Sequence, residues 1–351
     1  MPAAPVSATA AAPARPRAGR GRLAAGGGLA LGLFALLLAA LLSLAVGARA
    51  IPLHDVVDAL LHGGGSEQAT IVNSVRVPRT LLGIVVGAAI GVAGALMQAL
   101  TRNPLADPGL LGVNAGASAA VVIALAAGAA GATSGSIWFA FVGAAAASVA
   151  VYAIGGSGRG GSTPVRLALA GTALTAALTA VIYGIALSDP RLLQQYNLWS
   201  VGSLGNRGRE QLDAILPFVL AGALLALLLS RPLNALALGD DSARALGARV
   251  RWTRIGGALA ITLLCGAATA AAGPMYFLGL TVPHVGRAVC GPDQRWVLAY
   301  SAVLGAALML VADVIGRVVV RPGELQAGVM VAIIGAPVFI ALVRRKRIAA
   351  L

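Results

Sequence analysis

The chain has 351 residues, of which 58% are hydrophobic and only 11% charged. A soluble domain carries about 25% charged residues, so this composition excludes that class and indicates an integral membrane protein. A formal charge of +14 would suit nucleic acid, but a membrane topology accounts for the basic residues better.

Residues 1–22 are rich in Ala, Pro and Arg and have no apolar period, which predicts a disordered basic cytoplasmic tail. A basic segment before an apolar run resembles a signal peptide. The run from Leu23 to Val46, however, is long enough to span, which favours an uncleaved first helix. Further apolar runs follow at about 81–100, 110–130, 136–156, 165–187, 213–230, 255–273, 275–290, 297–320 and 327–343. The predicted fold is therefore an all-α polytopic membrane protein with about ten transmembrane helices over 23–345, followed by a short cytoplasmic tail at 346–351.

An even number of spans places both termini on one side. With the N-terminus inside, 18 of the 26 basic residues fall on inner segments and 8 on outer ones. That asymmetry predicts a multi-pass membrane protein with both termini cytoplasmic. All the basic residues but Lys346 are arginines. Two outer segments are long. Residues 49–80 hold Pro52 and the Gly63-Gly64-Gly65 turn, and 188–212 hold the interfacial pair Tyr196 and Trp199. The longest inner segment is 231–254. A weak repeat relates Gly87-Ala88-Ala89, Ala93-Gly94 and Pro104 to Gly266-Ala267-Ala268, Ala272-Gly273 and Pro283 at one offset. Its copies would run in opposite directions, as an inverted internal repeat requires.

Between two apolar runs lies Arg102-Asn103-Pro104-Leu105-Ala106-Asp107-Pro108-Gly109. Its two prolines and its capping Asn and Asp force a turn. A membrane protein tolerates such backbone only at an interface or beside a water-filled cavity, which suggests a gate. A phosphate-binding loop needs a lysine, and Lys346 stands in the tail, so any ATP that drives this chain binds another subunit. His54, His62 and His284 show no metal-ligand spacing, and no nucleophile elbow or paired carboxylates appear. Cys265 and Cys290 read as small apolar residues.

Arg76-Val77-Pro78-Arg79, then Gly87-Ala88, Gly94 and Gln98, then Asn103-Pro104-Leu105-Ala106-Asp107-Pro108, resemble the first half of the FecCD/BtuC family. Leu238-Gly239-Asp240 with Ala243 and Leu246-Gly247, Gly273-Pro274 through Gly279-Leu280, Pro283-His284 with Arg287, Ala312-Asp313 with Arg317, Glu324-Leu325 and Gly335-Ala336-Pro337 resemble its second half. The resemblance covers about residues 25–345. It implies the permease subunit of a binding-protein-dependent ABC importer for iron–siderophores, haem or cobalamin, with the motif form closest to ferric-siderophore permeases.

Some of the roles this resemblance implies have a bland rival. Asn103 and Leu105 would close an inner gate, against an ordinary capped turn. Ser162 and Thr163 would form a second gate. Arg76, Arg79 and Arg317 would receive glutamates of an extracytoplasmic binding protein, against plain anchoring of helix ends. Leu238, Gly239, Asp240, Ala243, Leu246 and Gly247 would form a coupling helix in a groove of the ATPase, with Asp240 capping the helix and Gly247 ending it. The implied partners are two ATP-binding subunits carrying ATP and magnesium, one binding protein, a second identical or paralogous permease, and the ferric-siderophore. The chain itself is then not an enzyme and needs no cofactor or metal. A rival class is a proton-coupled secondary transporter using Asp313, an acid inside an apolar run. Arg317 lies four residues on, which favours a helical ion pair instead. A membrane scaffold without transport is disfavoured by the gate and coupling motifs.

Overall fold

The computed structural model describes residues 18–47, 50–63, 66–129, 134–156, 164–321 and 323–344, and all its regular elements there are helices. In chain order they are α1 (Ala18–Ala45), α2 (Leu53–His62), α3 (Glu67–Ile71), a π-helical turn (Val72–Arg76), α4 (Val77–Thr101), a 3-10 turn (Pro108–Leu111), α5 (Val113–Ala126), α6 (Ser134–Gly156) and α7 (Pro164–Ala186). There follow α8 (Pro190–Ser200), α9 (Arg209–Ala237), α10 (Asp240–Ala245), α11 (Val250–Ala272), α12 (Leu278–Cys290), α13 (Gln294–Val319) and α14 (Ala327–Arg344).

Each of the ten predicted apolar runs carries one helix. Among the described residues, seven helices are long and apolar enough to cross a membrane: α1, the continuous α3–α4 rod, α6, α7, α9, α11 and α13. The helices in the other three runs are shorter, and for two of them the backbone explains why. Pro108 and left-handed Gly112 (φ 71°) delay the start of α5. Gly273 (φ 82°), Pro274 and Phe277 (φ 66°) hold the chain out of helix until Leu278. Helix α1 begins at Ala18, inside the segment read as tail, where Ala-rich sequence favours helix.

Helices α4 and α11 form the core, each buried along most of its length. Glycine lets α4 approach its neighbours to backbone contact. A Cβ on Gly87 would lie 2.5 Å from the Gly305 carbonyl, one on Gly91 2.1 Å from the Ser301 carbonyl, and one on Gly94 1.9 Å from the Gly279 carbonyl. The large apolar side chains of α1 (Leu31, Phe34, Leu38) and α9 (Leu220, Leu224, Leu228) are exposed instead. In a bilayer those faces meet lipid.

Candidate functional site

Three features stand out: a charge cluster around the start of α4, a second at its end, and the open face of α7.

The first cluster joins α1, α4 and α13. Asp313 on α13 is 1% exposed and accepts from Arg79 Nη2 at 2.8 Å and Nε at 3.2 Å. The expected ion pair with Arg317, one helical turn along, also forms, at 3.1 Å. Arg79 Nη1 then donates to Glu324 Oε2 at 2.9 Å. A second set of bonds caps the C-terminus of α1, whose last carbonyls lack helical partners. Arg317 Nη1 donates to the carbonyls of Ser43 and Val46, each at 3.0 Å, and Arg76 Nη1 to that of Leu44 at 2.6 Å. Arg321 donates to the Gly47 carbonyl at 2.9 Å. All three arginines assigned to docking are thus buried, and two of them hold α1 in place. Arg79 alone of the three lines a cavity of about 600 Å³, together with Ser74, Ser203, Asn206, Arg207, Glu324 and Gln326. Burial lowers the Arg207 pKa to about 10, so this guanidinium keeps its charge at neutral pH.

The second cluster lies where α4 ends. Arg102 takes a left-handed conformation (φ 49°) and stops the helix. The Asn103 side chain accepts from the Leu105 amide at 2.9 Å, and Asp107 accepts from the Gly109 amide at 2.8 Å. Both residues therefore perform the turn-forming role their type predicts. Asn103 and Leu105 are exposed. The His284 ring hydrogen-bonds the Pro104 carbonyl, and Gln98 accepts from Arg287, so α12 grips both sides of this turn.

Helix α10 sits beside the same turn. Ala243 is fully buried, while Leu238 and Leu246 are each about two-thirds exposed. Asp240 does not cap the helix as expected. Gly239 (φ 100°) occupies the cap, and Asp240 is the first helical residue. The Asp240 carboxylate turns inward to Arg254 of α11, with oxygens at 2.9 and 3.1 Å from Nη2, and lies 3.6 Å from Arg102. A charged tie is stronger than a cap to a neutral amide, which accounts for the change. Gly247 (φ 81°) ends the helix as predicted.

Helix α7 leaves Thr172, Thr179 and Tyr183 on an exposed face. Tyr183 meets Tyr196 of α8 edge-on, with ring centroids 6.3 Å apart. Ser162 and Thr163, just before α7, lie outside the described residues. Cys265 is buried, Cys290 half-buried, and both are free thiols.

The sequence did not reveal Glu324, Arg102 or Arg254 as partners. Glu324 lies 245 residues from Arg79, and no local spacing signals such a pair.

Residues 35–345 match the model of the FecCD transport family. Over 315 residues the chain is 51% identical to the ferric enterobactin transport system permease protein FepD of Escherichia coli (strain K12), covering 90% of this chain and 94% of that one. It is 39% identical over 313 residues to the probable siderophore transport system permease protein YfiZ of Bacillus subtilis (strain 168), covering 89% and 94%. Among solved structures, a chain of an inward-facing metal-chelate type ABC transporter superposes with a TM-score of 0.80 at 24% identity, covering 90% of this chain and 98% of that one.

Proposed function

The chain belongs to the FecCD transport family, and from that membership we propose that it is the transmembrane permease subunit of a binding-protein-dependent ABC importer for ferric-siderophore. Its relatives with siderophore and enterobactin in their names support this cargo. Cobalamin or haem is the alternative. ATP and magnesium belong to two partner ATPase subunits, and a binding protein delivers the cargo from outside.

In this reading α5, α12 and α14 add three crossings to the seven long helices, and the even total leaves both termini inside. The inverted repeat is supported by form rather than by the offset read from sequence, since Pro104 lies in a break and its counterpart Pro283 lies inside α12. Both α4–α5 and α11–α12 are a long helix, a proline-bearing break and a short helix. A second permease, identical or paralogous, would pack so that the hydroxyls of Thr172, Thr179 and Tyr183 line a shared path. Hydroxyls suit a wet path better than lipid.

The observation that carries the mechanism is the Asp240 junction. Leu238 and Leu246 flank α10 as exposed knobs suited to an ATPase groove. Asp240 fastens that helix both to α11 and to the turn bearing Asn103 and Leu105. Closure of the ATPase would then move α10 as a rigid body and carry the inner gate with it. Ser162 and Thr163 would form the second gate. Outside, the binding protein would dock on the cluster of Arg76, Arg79 and Arg317, with Arg79 in reach and the other two as fixed charge behind it.

Two measurements test this. Radioiron–siderophore uptake in iron-starved cells should fall when the chain is absent, and labelled cobalamin uptake should not. In proteoliposomes of the whole complex, Arg102→Ala should raise the ATP consumed per substrate several-fold. The contact is long at 3.6 Å, Arg102 is exposed and Asp240 keeps Arg254, so the loss should be about 1 kcal/mol or less and folding should be unchanged. An unaltered ratio would reject the junction as the coupling route.

A further inference from the structure

The outer cavity already contains the kind of group that docking would bring to it. Glu324 Oε2 lies 2.9 Å from Arg79 Nη1, and its side chain is 37% exposed. The other carboxylate on Arg79 differs in kind. Asp313 is 1% exposed and is shared with Arg317, so it is a fixed structural counter-ion. Removing Asp313 from its buried pair is costly, whereas Glu324, at 37% exposed, can carry its carboxylate out into water while Arg79 keeps Asp313 as counter-ion. Arg79 therefore has one permanent carboxylate and one exchangeable one.

The cavity walls point the same way. Among the described residues they carry two guanidinium groups, Arg79 and Arg207, and one carboxylate, Glu324. Ser74, Ser203, Asn206 and Gln326 add neutral hydrogen-bonding groups. If Glu324 swings out, the cavity gains net positive charge and an unoccupied Nη1 donor. That combination suits a carboxylate side chain, since guanidinium groups bind carboxylates through charge-assisted hydrogen bonds.

We infer that Glu324 is an internal competitor for Arg79, and that an acidic side chain of the extracytoplasmic binding protein docks by displacing it. This rests on the docking proposed above and adds what that docking must overcome. The contact is self-inhibitory, because the permease masks its own docking guanidinium until a better-placed carboxylate arrives. Glu324 also stands three residues before Ala327, the first residue of α14. The backbone on its far side is anchored, with the Leu325 amide donating to the Gly316 carbonyl at 3.0 Å. Side-chain exchange can therefore occur while the main chain beside it stays pinned.

The test uses the whole complex in nanodiscs and the binding protein that co-purifies with it, free of substrate. Docking affinity is measured for wild type, Glu324→Gln, Arg79→Gln and the double variant. Glu324→Gln keeps the shape and removes the competing charge, so docking should tighten about fivefold, mainly through the off-rate. Because Arg79→Gln strips Asp313 of a counter-ion, docking is read only on complex that elutes as assembled; in that fraction Arg79→Gln should weaken docking, and the double variant should match it. Unchanged or weaker docking in Glu324→Gln, with Arg79→Gln still impaired, would overturn the competition and leave the docking site standing. Wild-type docking in Arg79→Gln would reject both. If Glu324→Gln assembles poorly, Glu324→Asp replaces it. Its shorter side chain should also release Arg79 and tighten docking, and failure to do so would likewise overturn the competition.

Discussion

Asp313 separates two mechanisms by its neighbours. A proton-carrying carboxylate must be able to lose its counter-charges during the cycle. Asp313 instead has Arg79 and Arg317 at 2.8 and 3.1 Å and is 1% exposed. Removing one member of a buried pair costs about 3–5 kcal/mol, because the remaining charges stay desolvated. Asp313→Asn is therefore expected to lower thermal stability in detergent markedly, and the α1 cap built on Arg317 should loosen with it. A variant that unfolds like wild type yet no longer transports would favour the proton-coupled carrier. At this scale residue type was an informative guide. The turn-forming roles of Asn103 and Asp107 and the Asp313–Arg317 pair follow from short-range chemistry. Asp240 departed from its expected capping role because two arginines remote from it in sequence offered it a charged tie.

The elements were legible wherever apolar length defined them, since each predicted run contains a helix. Their ends were less so. Arg102 and Phe277 adopt positive φ without being glycine, and no composition rule announces such stops. The short helices α2 and α8 lie outside the predicted runs, and α2 packs with α3 and the π-helical turn in a small cluster of its own (Ile51, Val56, Ala59, Ala69 and Val72). Helix α4 shows what the glycine-rich composition accomplishes. On Gly94 even one methyl group would lie 1.9 Å from the Gly279 carbonyl, where backbone opposes backbone and nothing can swing aside. Overpacking of this sort costs about 1–3 kcal/mol or more. Gly184 of α7 has nothing within 4 Å. Gly94→Ala should therefore reduce the yield of folded permease in size-exclusion profiles. Gly184→Ala should be neutral for the fold, so any transport defect it shows would report on the path or the partner subunit. Equal yields would mean that α4 and α12 do not pack as described.

The whole molecule sets its two charge clusters at opposite ends of one helix. Arg79 and Arg102 are 23 residues apart on α4, and at 1.5 Å per residue that is about 34 Å, close to the thickness of a bilayer core. One rigid rod therefore joins the cavity that would meet the binding protein to the turn that would meet the coupling helix. The sequence contained this arrangement only as a charge count. Basic residues were in excess on segments of one parity, but the partners that make clusters of them are brought together by folding. The proposed orientation rests on the same count and can be tested directly. Against the native background of one buried and one half-buried thiol, a single cysteine is introduced at Asn206, in the cavity, or at Leu246, on the exposed knob of α10. A membrane-impermeant maleimide added to intact spheroplasts should label Asn206→Cys at once. It should reach Leu246→Cys only after lysis. The reverse pattern would place the binding protein and the ATPase on the wrong faces, and with them the assignment of both clusters. Labelling of both sites in intact cells would mean that α4 does not carry them to opposite sides of a sealed membrane.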